Sequence, residues 1–237
     1  MVDAERLNEL LKTFARTLVT DYSIEEMLDG LCREIVEILG CTGAGVMLED
    51  EGGDLRFVAA SDELVRSIEA LQIELGEGPC LLAYRMGTII LADDLKADKQ
   101  FPRFAERARA AGMLAVQSFP LRADDQCVGA LNMYATHTSP FGDAEVEAAK
   151  LLADVCTTYI LNARTLADSY KLAGQLQKAL DSRVVIEQAK GKLAEQLALE
   201  VGDAFGVLRR HARNNGLKLH DVATAIVAGE LKLSASD

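Results

Sequence analysis

The feature that most constrains the fold of this chain is a long stretch without helix breakers. From Gly142 to about Leu180 there is no proline and one internal glycine, Gly174. Because proline and glycine are the residues least favourable inside a helix, this stretch predicts one long helix. Its first part, EVEAAKLLADVCTTYIL, has enough apolar residues to pack on a domain, whereas its second part, TLADSYKLAGQLQKALDSR, is mostly polar.

The polar second part carries a thin apolar stripe that predicts a coiled-coil linker. Spacings of three, four or seven separate its members, Leu166, Ala173, Leu176, Leu180 and Val184. Heptad spacing of this kind is typical of a helix that pairs with another helix. The alternative is a long helix that packs on its own domain. We favour a dimerising linker because the stripe is too thin to be buried in a monomer.

Before the long helix, the hydrophobic period changes from that of helices to that of strands. A first helix has its apolar residues at Leu7, Leu10, Leu11, Phe14 and Leu18. A second begins at Ser23, with Glu26 in a capping-box position, and ends at Gly40. Strands follow in GAGVMLED, DLRFVAA, TIILADD and MLAVQSFPLRADDQCVGALNMYAT, with short helices near 62–71, 79–86 and 101–110. This order predicts an α+β fold with a mainly antiparallel sheet flanked by helices.

The residues after the linker predict a compact three-helix bundle. Three helical stripes centre on residues 186–197, 204–212 and 222–227, with Gly202 and the NNG at 214–216 between them. The small apolar core suggests that the bundle leans on the preceding helix. The predicted divisions are an N-terminal helix (1–22), an α+β domain (23–160), the coiled-coil linker (161–182) and the bundle (183–237).

Charge is unevenly distributed and points to a basic patch in the bundle. The net charge is −12, yet residues 183–237 hold eight basic and seven acidic side chains. An acidic body argues against nucleic-acid binding there and leaves a local patch on the tail. No acidic residue lies between Asp203 and Asp221. Arg209 and Arg213 share a helix face, and arginine donates two hydrogen bonds at once to phosphate or guanine. The candidate binding residues are Lys190, Gly191, Lys192, Arg209, Arg210, Arg213, Asn214 and Lys218.

Two candidates have simpler alternative explanations. Gly191 leaves helix backbone open to an approaching phosphate backbone, but a helix glycine also allows another helix to pack closely. Asn214 and Asn215 are candidate base readers, although NNG is equally well explained as a helix stop.

Two regions resemble known families. Residues from Ser23 to Ile160 resemble GAF domains of actinobacterial regulators, through GEGPC, the strand ending at Asp93–Asp94, Phe101–Pro102 and SFPL followed by G.LN.Y. The tail resembles ANTAR domains, which are RNA-binding modules that control transcription termination. Its matching elements are Ala189-Lys190-Gly191, Leu193, Ala204-Phe205, Leu208-Arg209, Ala212-Arg213 and Val222-Ala223. The chain departs from that pattern at Lys192, where the family usually has an apolar residue.

The resemblance implies a function as well as a fold. An ANTAR unit is a three-helix bundle that follows a coiled coil and acts as a homodimer. Each protomer would hold the loop of one stem-loop in a tandem pair of nascent mRNA. Binding would favour the antiterminator over the terminator hairpin. The GAF-like domain would set the state of the dimer, with or without a small-molecule ligand.

Catalytic and metal-binding patterns are not evident in the sequence. Five scattered cysteines suggest reduced thiols in the cytoplasm, three histidines lack metal spacing, and no apolar run could span a bilayer. We therefore expect no cofactor, no metal, no membrane segment and no enzymatic activity. Cys80, at a predicted helix start, is a candidate redox sensor or else a small buried apolar residue.

Two alternative functions stay open at the level of sequence. A GAF-fold thiol enzyme resembling methionine sulfoxide reductase would use Cys80 and Cys127. A DNA-binding regulator would use the three-helix tail as a helix-turn-helix unit.

Overall fold

A computed structural model describes residues 2–17, 24–50 and 52–234. The chain divides into two compact units, Met1–Thr165 and Leu166–Asp237, here called the N-terminal and C-terminal units. The predictions for Leu18 and for a capping box at Ser23 lie outside the described residues. Among the described residues, no helix combines the length and apolar character that a membrane crossing requires.

The secondary structure confirms the predicted α+β class. In chain order the elements are α1 (Ala4–Thr17), α2 (Ile24–Leu39), β1 (Gly43–Glu49), β2 (Leu55–Ala60), α3 (Glu63–Leu75), α4 (Pro79–Met86), β3 (Ile90–Ala92), α5 (Pro102–Ala110), β4 (Ala115–Ala123), β5 (Gln126–Ala135), α6 (Asp143–Leu197), α7 (Val201–Asn214) and α8 (Leu219–Ala228). The short helices and strands fall where the change of hydrophobic period predicts them.

The N-terminal unit is built on a five-stranded antiparallel sheet with the strand order β2-β1-β5-β4-β3. Strands β4 and β5 form a hairpin in which Ala123 pairs with Gln126, and Asp124 adopts a left-handed conformation in the turn. Strand β1 can lie beside α3 because it carries glycine at Gly43 and Gly45. A Cβ at these positions would overlap Val65 and Glu69 of α3 respectively.

The two faces of the sheet are covered by different helices. One face packs on α1, α2 and the first part of α6, in a core that includes Leu28, Ile35 and Ile160. The other face packs on α3, α4 and α5. Arg164 fixes α6 to the end of β1, since its Nη2 donates a hydrogen bond to the carbonyl oxygen of Glu49 at 2.6 Å.

The C-terminal unit is formed by the rest of α6 together with α7 and α8. Helix α6 is uninterrupted from Asp143 to Leu197, so the predicted linker and the first bundle helix are one helix. The prediction that Gly202 separates two helices is wrong, because α7 starts at Val201 and includes it. The chain turns at Ala198 instead, which has a φ of 50°. Glycine is tolerated in a first turn, where the backbone amides have no intrahelical acceptor.

Candidate functional site

The small core of the bundle fixes which surfaces of its helices stay exposed. Its buried residues are Ala189, Leu193, Ala204, Val207, Leu208, Ala212, Val222, Ala223, Ile226 and Leu233. Several of these core residues are alanines, whose small side chains let the three helices approach closely. Side chains next to the core on one helix can therefore reach a neighbouring helix. The candidate binding residues therefore fall into two groups, those that contact another helix and those that point outward.

Lys190 contacts the neighbouring helix. Its ammonium group forms an ion pair with Glu187 at 2.8 Å and lies 5.4 Å from the centre of the Phe205 ring on α7. Only 17% of the Lys190 side chain is exposed. A cation over an aromatic face stabilises the contact electrostatically, so Lys190 helps to hold α6 against α7.

Lys192 contacts the third helix. Its ammonium group donates a hydrogen bond to the carbonyl oxygen of Val227 at 3.1 Å, in the last turn of α8. Gly229 then closes the helix in a left-handed conformation. A cation at this end complements the partial negative charge of the helix dipole. Lys192 is therefore directed toward α8.

Gly191 lies between these lysines and points away from the core. It is exposed, and a Cβ added there would meet no atom within 4 Å. Within the part of the chain that the structure describes, no packed helix explains this glycine. A glycine inside an exposed helix destabilises it by about 1 kcal/mol relative to alanine. Since packing does not account for Gly191, we interpret it as a position where a binding partner approaches the helix backbone.

The outer face of α7 carries the arginines. Arg209 and Arg213 are exposed, and in the described ranges neither forms an ion pair with an acidic side chain. Gly202 and Gly206 precede them at helical spacing, and both have open space where a Cβ would stand. We call the surface formed by Gly202, Gly206, Arg209 and Arg213 the α7 face. It is positively charged, and at its N-terminal end the glycines leave the helix backbone without side chains over it. From the sequence, Gly202 is predicted to be a break between helices and Gly206 is not singled out, although their spacing of four and the arginines that follow indicate one helix face.

The remaining candidates lie at the end of α7. Arg210, Asn214 and Lys218 are exposed, and Lys218 precedes the first turn of α8. Asn215 caps α7, because its side chain donates to the carbonyl oxygen of His211 at 2.9 Å. Gly216 follows with a φ of 64°, so NNG acts as a helix stop.

The apolar stripe of the predicted linker, which we call the linker seam, is exposed within the C-terminal unit. It consists of Leu166, Ala173, Leu176, Leu180 and Val184. Leu176 and Leu180 are 62% and 57% exposed, and Leu166 and Val184 are about half exposed. Ala173 is also exposed, and Tyr170 and Leu172 add apolar surface that the sequence stripe did not include. These exposed apolar side chains are the feature of the linker that a partner helix would cover.

A second candidate site lies inside the N-terminal unit, between α3 and the sheet. Glu69 is fully buried, and the amide of Asn132 donates hydrogen bonds to both of its carboxyl oxygens at 2.8 and 3.0 Å. The side chain of Gln72 donates to the Tyr134 hydroxyl at 3.1 Å and accepts from the backbone amide of Cys80 at 2.9 Å. Burial raises the pKa of Glu69 to about 7, against the opposing effect of these hydrogen bonds.

The surroundings of Glu69 contain unpartnered polar atoms. In the register of the sheet, Asn132 lies opposite Gly45 on one side and Ser118 on the other. Among the described residues, the Oδ1 of Asn132 and the Oγ of Ser118 are buried without a hydrogen-bond partner. Buried polar atoms nearly always have a hydrogen-bond partner, so two unpartnered atoms beside a buried carboxyl group are unusual for a protein core. We refer to Glu69, Gln72, Ser118, Asn132 and Tyr134 as the buried polar cluster.

The GEGPC segment has a structural explanation in each position. Gly76 ends α3 in a left-handed conformation, and the carboxylate of Glu77 accepts hydrogen bonds from the first backbone amides of α5. Gly78 leaves the space that Gln72 fills. Pro79 starts α4, and Cys80 is fully buried. Burial raises the pKa of the Cys80 thiol well above its usual value, which disfavours the reactive thiolate form.

Comparisons with known families assign both units. A GAF domain family model matches residues 21–160, more than half of the chain, and an ANTAR domain model matches residues 174–227. The chain is a GAF–ANTAR protein. ANTAR domains are known from RNA-binding antitermination regulators, and GAF domains are signal-sensing domains. Among curated proteins, none matches this GAF–ANTAR chain significantly.

Solved structures confirm the GAF fold. A domain of a two-component sensor histidine kinase protein from Sinorhizobium meliloti is similar with a TM-score of 0.53 and 23% identity, over 63% of this chain and 99% of that one. The GAF domain of a phosphoenolpyruvate-protein phosphotransferase from Coxiella burnetii gives 0.56 and 16%, over 70% and 99%. Free methionine-R-sulfoxide reductase from Neisseria meningitidis gives 0.54 and 16%, over 70% and 96%. At these identities the similarity establishes the fold alone.

The domain architecture of the GAF–ANTAR protein indicates a regulator rather than an enzyme. Cys127, which would pair with Cys80 in the alternative of a thiol enzyme, is half-buried, and burial raises the pKa of its thiol as well. The described residues contain no group of three or more side chains suited to hold a metal ion.

Proposed function

We propose that this GAF–ANTAR protein is a cytoplasmic RNA-binding regulator that holds tandem stem-loops in nascent mRNA and thereby controls transcription termination. The observation that carries the proposal is the α7 face, an exposed positive surface with bare backbone inside an ANTAR domain. The preference for RNA over DNA follows from the ANTAR family.

The α7 face suits a looped, single-stranded segment. Arg209 and Arg213 can each donate two parallel hydrogen bonds to a phosphate or a guanine edge. Gly202 and Gly206 let a ribose–phosphate backbone come close to the helix without an intervening side chain. The unit offers no exposed aromatic platform among its described residues other than Tyr170 of the seam, so bases are contacted through hydrogen bonds and arginine planes.

The other candidate residues have supporting roles in this proposal. Arg210, Asn214 and Lys218 extend the contact beyond the end of α7, and Gly191 provides a second stretch of open backbone. Lys190 and Lys192 act mainly on the bundle, since their ammonium groups bind Glu187 and the last turn of α8. Their substitution weakens RNA binding chiefly by disturbing the bundle.

The linker seam makes the active species a dimer. Pairing Leu166, Ala173, Leu176, Leu180 and Val184 with a second copy buries the exposed apolar surface and brings two bundles to two adjacent stem-loops. The GAF domain supplies the signal that sets the state of this dimer.

The test is binding of a tandem-hairpin RNA, followed by fluorescence anisotropy from about 50 to 200 mM salt. Replacing Arg209 or Arg213 by alanine should weaken binding and reduce the slope of log K against log salt by about 0.7 for each lost phosphate contact. Arg85 is an exposed arginine on α4 and serves as the matched control. Unchanged affinity and slope in both α7 variants would contradict the proposed face.

A further inference from the structure

Side chains from three different elements meet at the end of strand β1. The hydroxyl of Tyr84, on α4, donates a hydrogen bond to the carboxylate Oε1 of Glu49 at 2.8 Å. Glu49 is the last residue of β1, and its backbone carbonyl oxygen accepts the hydrogen bond from Arg164 of α6 at 2.6 Å. We call this arrangement the Tyr84–Glu49–Arg164 bridge.

The bridge joins two helices that the sheet otherwise separates. Helix α4 packs on one face of the sheet, and the first part of α6 packs on the other. Each bond of the bridge has one charged partner, and such hydrogen bonds are stronger than those between neutral groups. Burial and the Glu49 carboxylate raise the pKa of Tyr84 to about 12, so its hydroxyl remains a donor at neutral pH. The end of β1 therefore holds both helices.

Helix α4 is also attached to the buried polar cluster, at its first turn. The backbone amide of Cys80 donates to the side-chain oxygen of Gln72 at 2.9 Å, and Gln72 in turn donates to the Tyr134 hydroxyl. Tyr84 follows Cys80 by four residues, so the two attachments are about one helical turn apart. Since a single helical turn moves as one body, a displacement of Cys80 displaces Tyr84 as well.

Arg164 lies directly before the linker seam. Leu166, the first residue of the seam, follows two positions later in the same uninterrupted helix. Proline and glycine do not occur between residues 143 and 173, so this part of α6 lacks the residues that usually kink a helix. The hydrogen bond of Arg164 therefore fixes the helix one turn or less before the seam begins.

We infer that the Tyr84–Glu49–Arg164 bridge couples the interior of the GAF domain to the linker. A rearrangement of the buried polar cluster displaces α4, and the bridge then displaces Arg164 and the turn of α6 that carries Leu166. Hydrogen-bond networks and rigid helices are the elements that carry such coupling between sites. The inference rests on the proposed function, because it names the contact by which the GAF domain sets the state of the dimer.

Hydrogen exchange of the full chain, measured by mass spectrometry in the absence of RNA, tests this coupling. Tyr84→Phe keeps the ring and removes the hydroxyl that holds Glu49. It should raise the exchange rate of the α6 amides in 161–172 by about fivefold or more, because local opening becomes easier when an anchoring hydrogen bond is lost. Arg85→Ala is the control, since Arg85 is the next residue of α4 and is exposed. Its exchange rates should stay within about twofold of the wild type.

A double variant shows whether Tyr84 and Arg164 act through the same bridge. Arg164→Gln should raise the exchange of 161–172 at least as much as Tyr84→Phe does, since it removes the bond to α6 directly. Adding Tyr84→Phe to Arg164→Gln should then raise the exchange by less than about twofold, because residues that act through one network are not additive.

Three results would overturn the inference. The first is exchange of 161–172 within about twofold of the wild type in Tyr84→Phe. The second is an equal increase in β4 and β5, which would mean that the hydroxyl only stabilises the domain as a whole. The third is a double variant whose increase equals the product of the two single increases, which would mean that the residues act independently. Because the measurement contains no RNA, a failure of the proposed RNA binding would leave it unchanged.

Discussion

Replacing Glu69 by glutamine removes the only ionisable carboxyl of the buried polar cluster while keeping its shape. Glutamine can still accept a hydrogen bond from the Asn132 amide. The substitution removes the charge and exchanges one of the two oxygens that accept from Asn132 for an amide donor, so the charge is tested by the pH dependence of stability and not by its value at one pH.

The expected magnitude follows from the pKa of Glu69. Burial raises this pKa from 4.5 to about 7, so the folded state favours the neutral carboxyl. The stability due to the neutral form is fully present below pH 4.5 and is lost as the pH rises through 7. The loss amounts to about 3 kcal/mol, because each pKa unit corresponds to about 1.4 kcal/mol. Relative to the wild type, Glu69→Gln should thus gain about 3 kcal/mol of stability between pH 4 and pH 8.

Scanning calorimetry of both proteins across this pH range measures the difference. Glu74→Gln is the matched control, since Glu74 is exposed on the same helix, and its curve should follow the wild type. Wild-type and Glu69→Gln curves that stay parallel from pH 4 to pH 8 would refute the reasoning, because Glu69 would then titrate alike in both states.

Three further predictions concern glycines and lysines with contrasting surroundings. Gly129→Ala should destabilise the N-terminal unit by more than about 2 kcal/mol, because the added Cβ would overlap the Met47 carbonyl oxygen. Gly174→Ala, which has open space for a Cβ, should instead stabilise α6 by up to about 1 kcal/mol. Thermal melts of the two variants measure both effects. Lys192→Ala should lower the stability of the bundle by about 1 kcal/mol, because the hydrogen bond to Val227 at the end of α8 is lost. Lys178→Ala, at an exposed lysine in the middle of α6, is the control and should leave the melt unchanged. Equal melts for the two variants would contradict the contact. Gly191→Ala should raise the melting temperature and weaken the binding of hairpin RNA. Gly174→Ala should raise the melting temperature and leave the RNA affinity unchanged. Equal RNA affinities of the two variants would show that Gly191 is not part of the interface.

The sequence predicts the fold well because its signals are local and repeated. Each pattern extends over many residues. The stretch without helix breakers predicts α6, the helical stripes predict the other helices, and the alternation of apolar residues predicts the strands of the sheet. The end of the linker was harder to predict, because no residue stops the helix near 182. The break at Ala198 uses a left-handed alanine that no sequence signal marks.

The candidate site was only partly predictable. Exposure of the α7 arginines follows from their spacing, since the buried residues of α7 lie on the opposite side. The contacts of Lys190 with Phe205 and of Lys192 with Val227 join residues from different helices, so they depend on how the helices pack. The buried polar cluster likewise joins α3 to β5 across more than 60 residues of sequence. Local periodicity carries no information about such pairs.

Binding of the purified full chain to a tandem-hairpin RNA, compared with duplex DNA of the same sequence, tests the central claim most directly. Anisotropy titrations at about 50 mM salt should show saturable binding to the RNA at least tenfold tighter than to the DNA, and raising the salt should weaken it. Equal affinity for the two nucleic acids, or no binding to the RNA at low salt, would contradict the account.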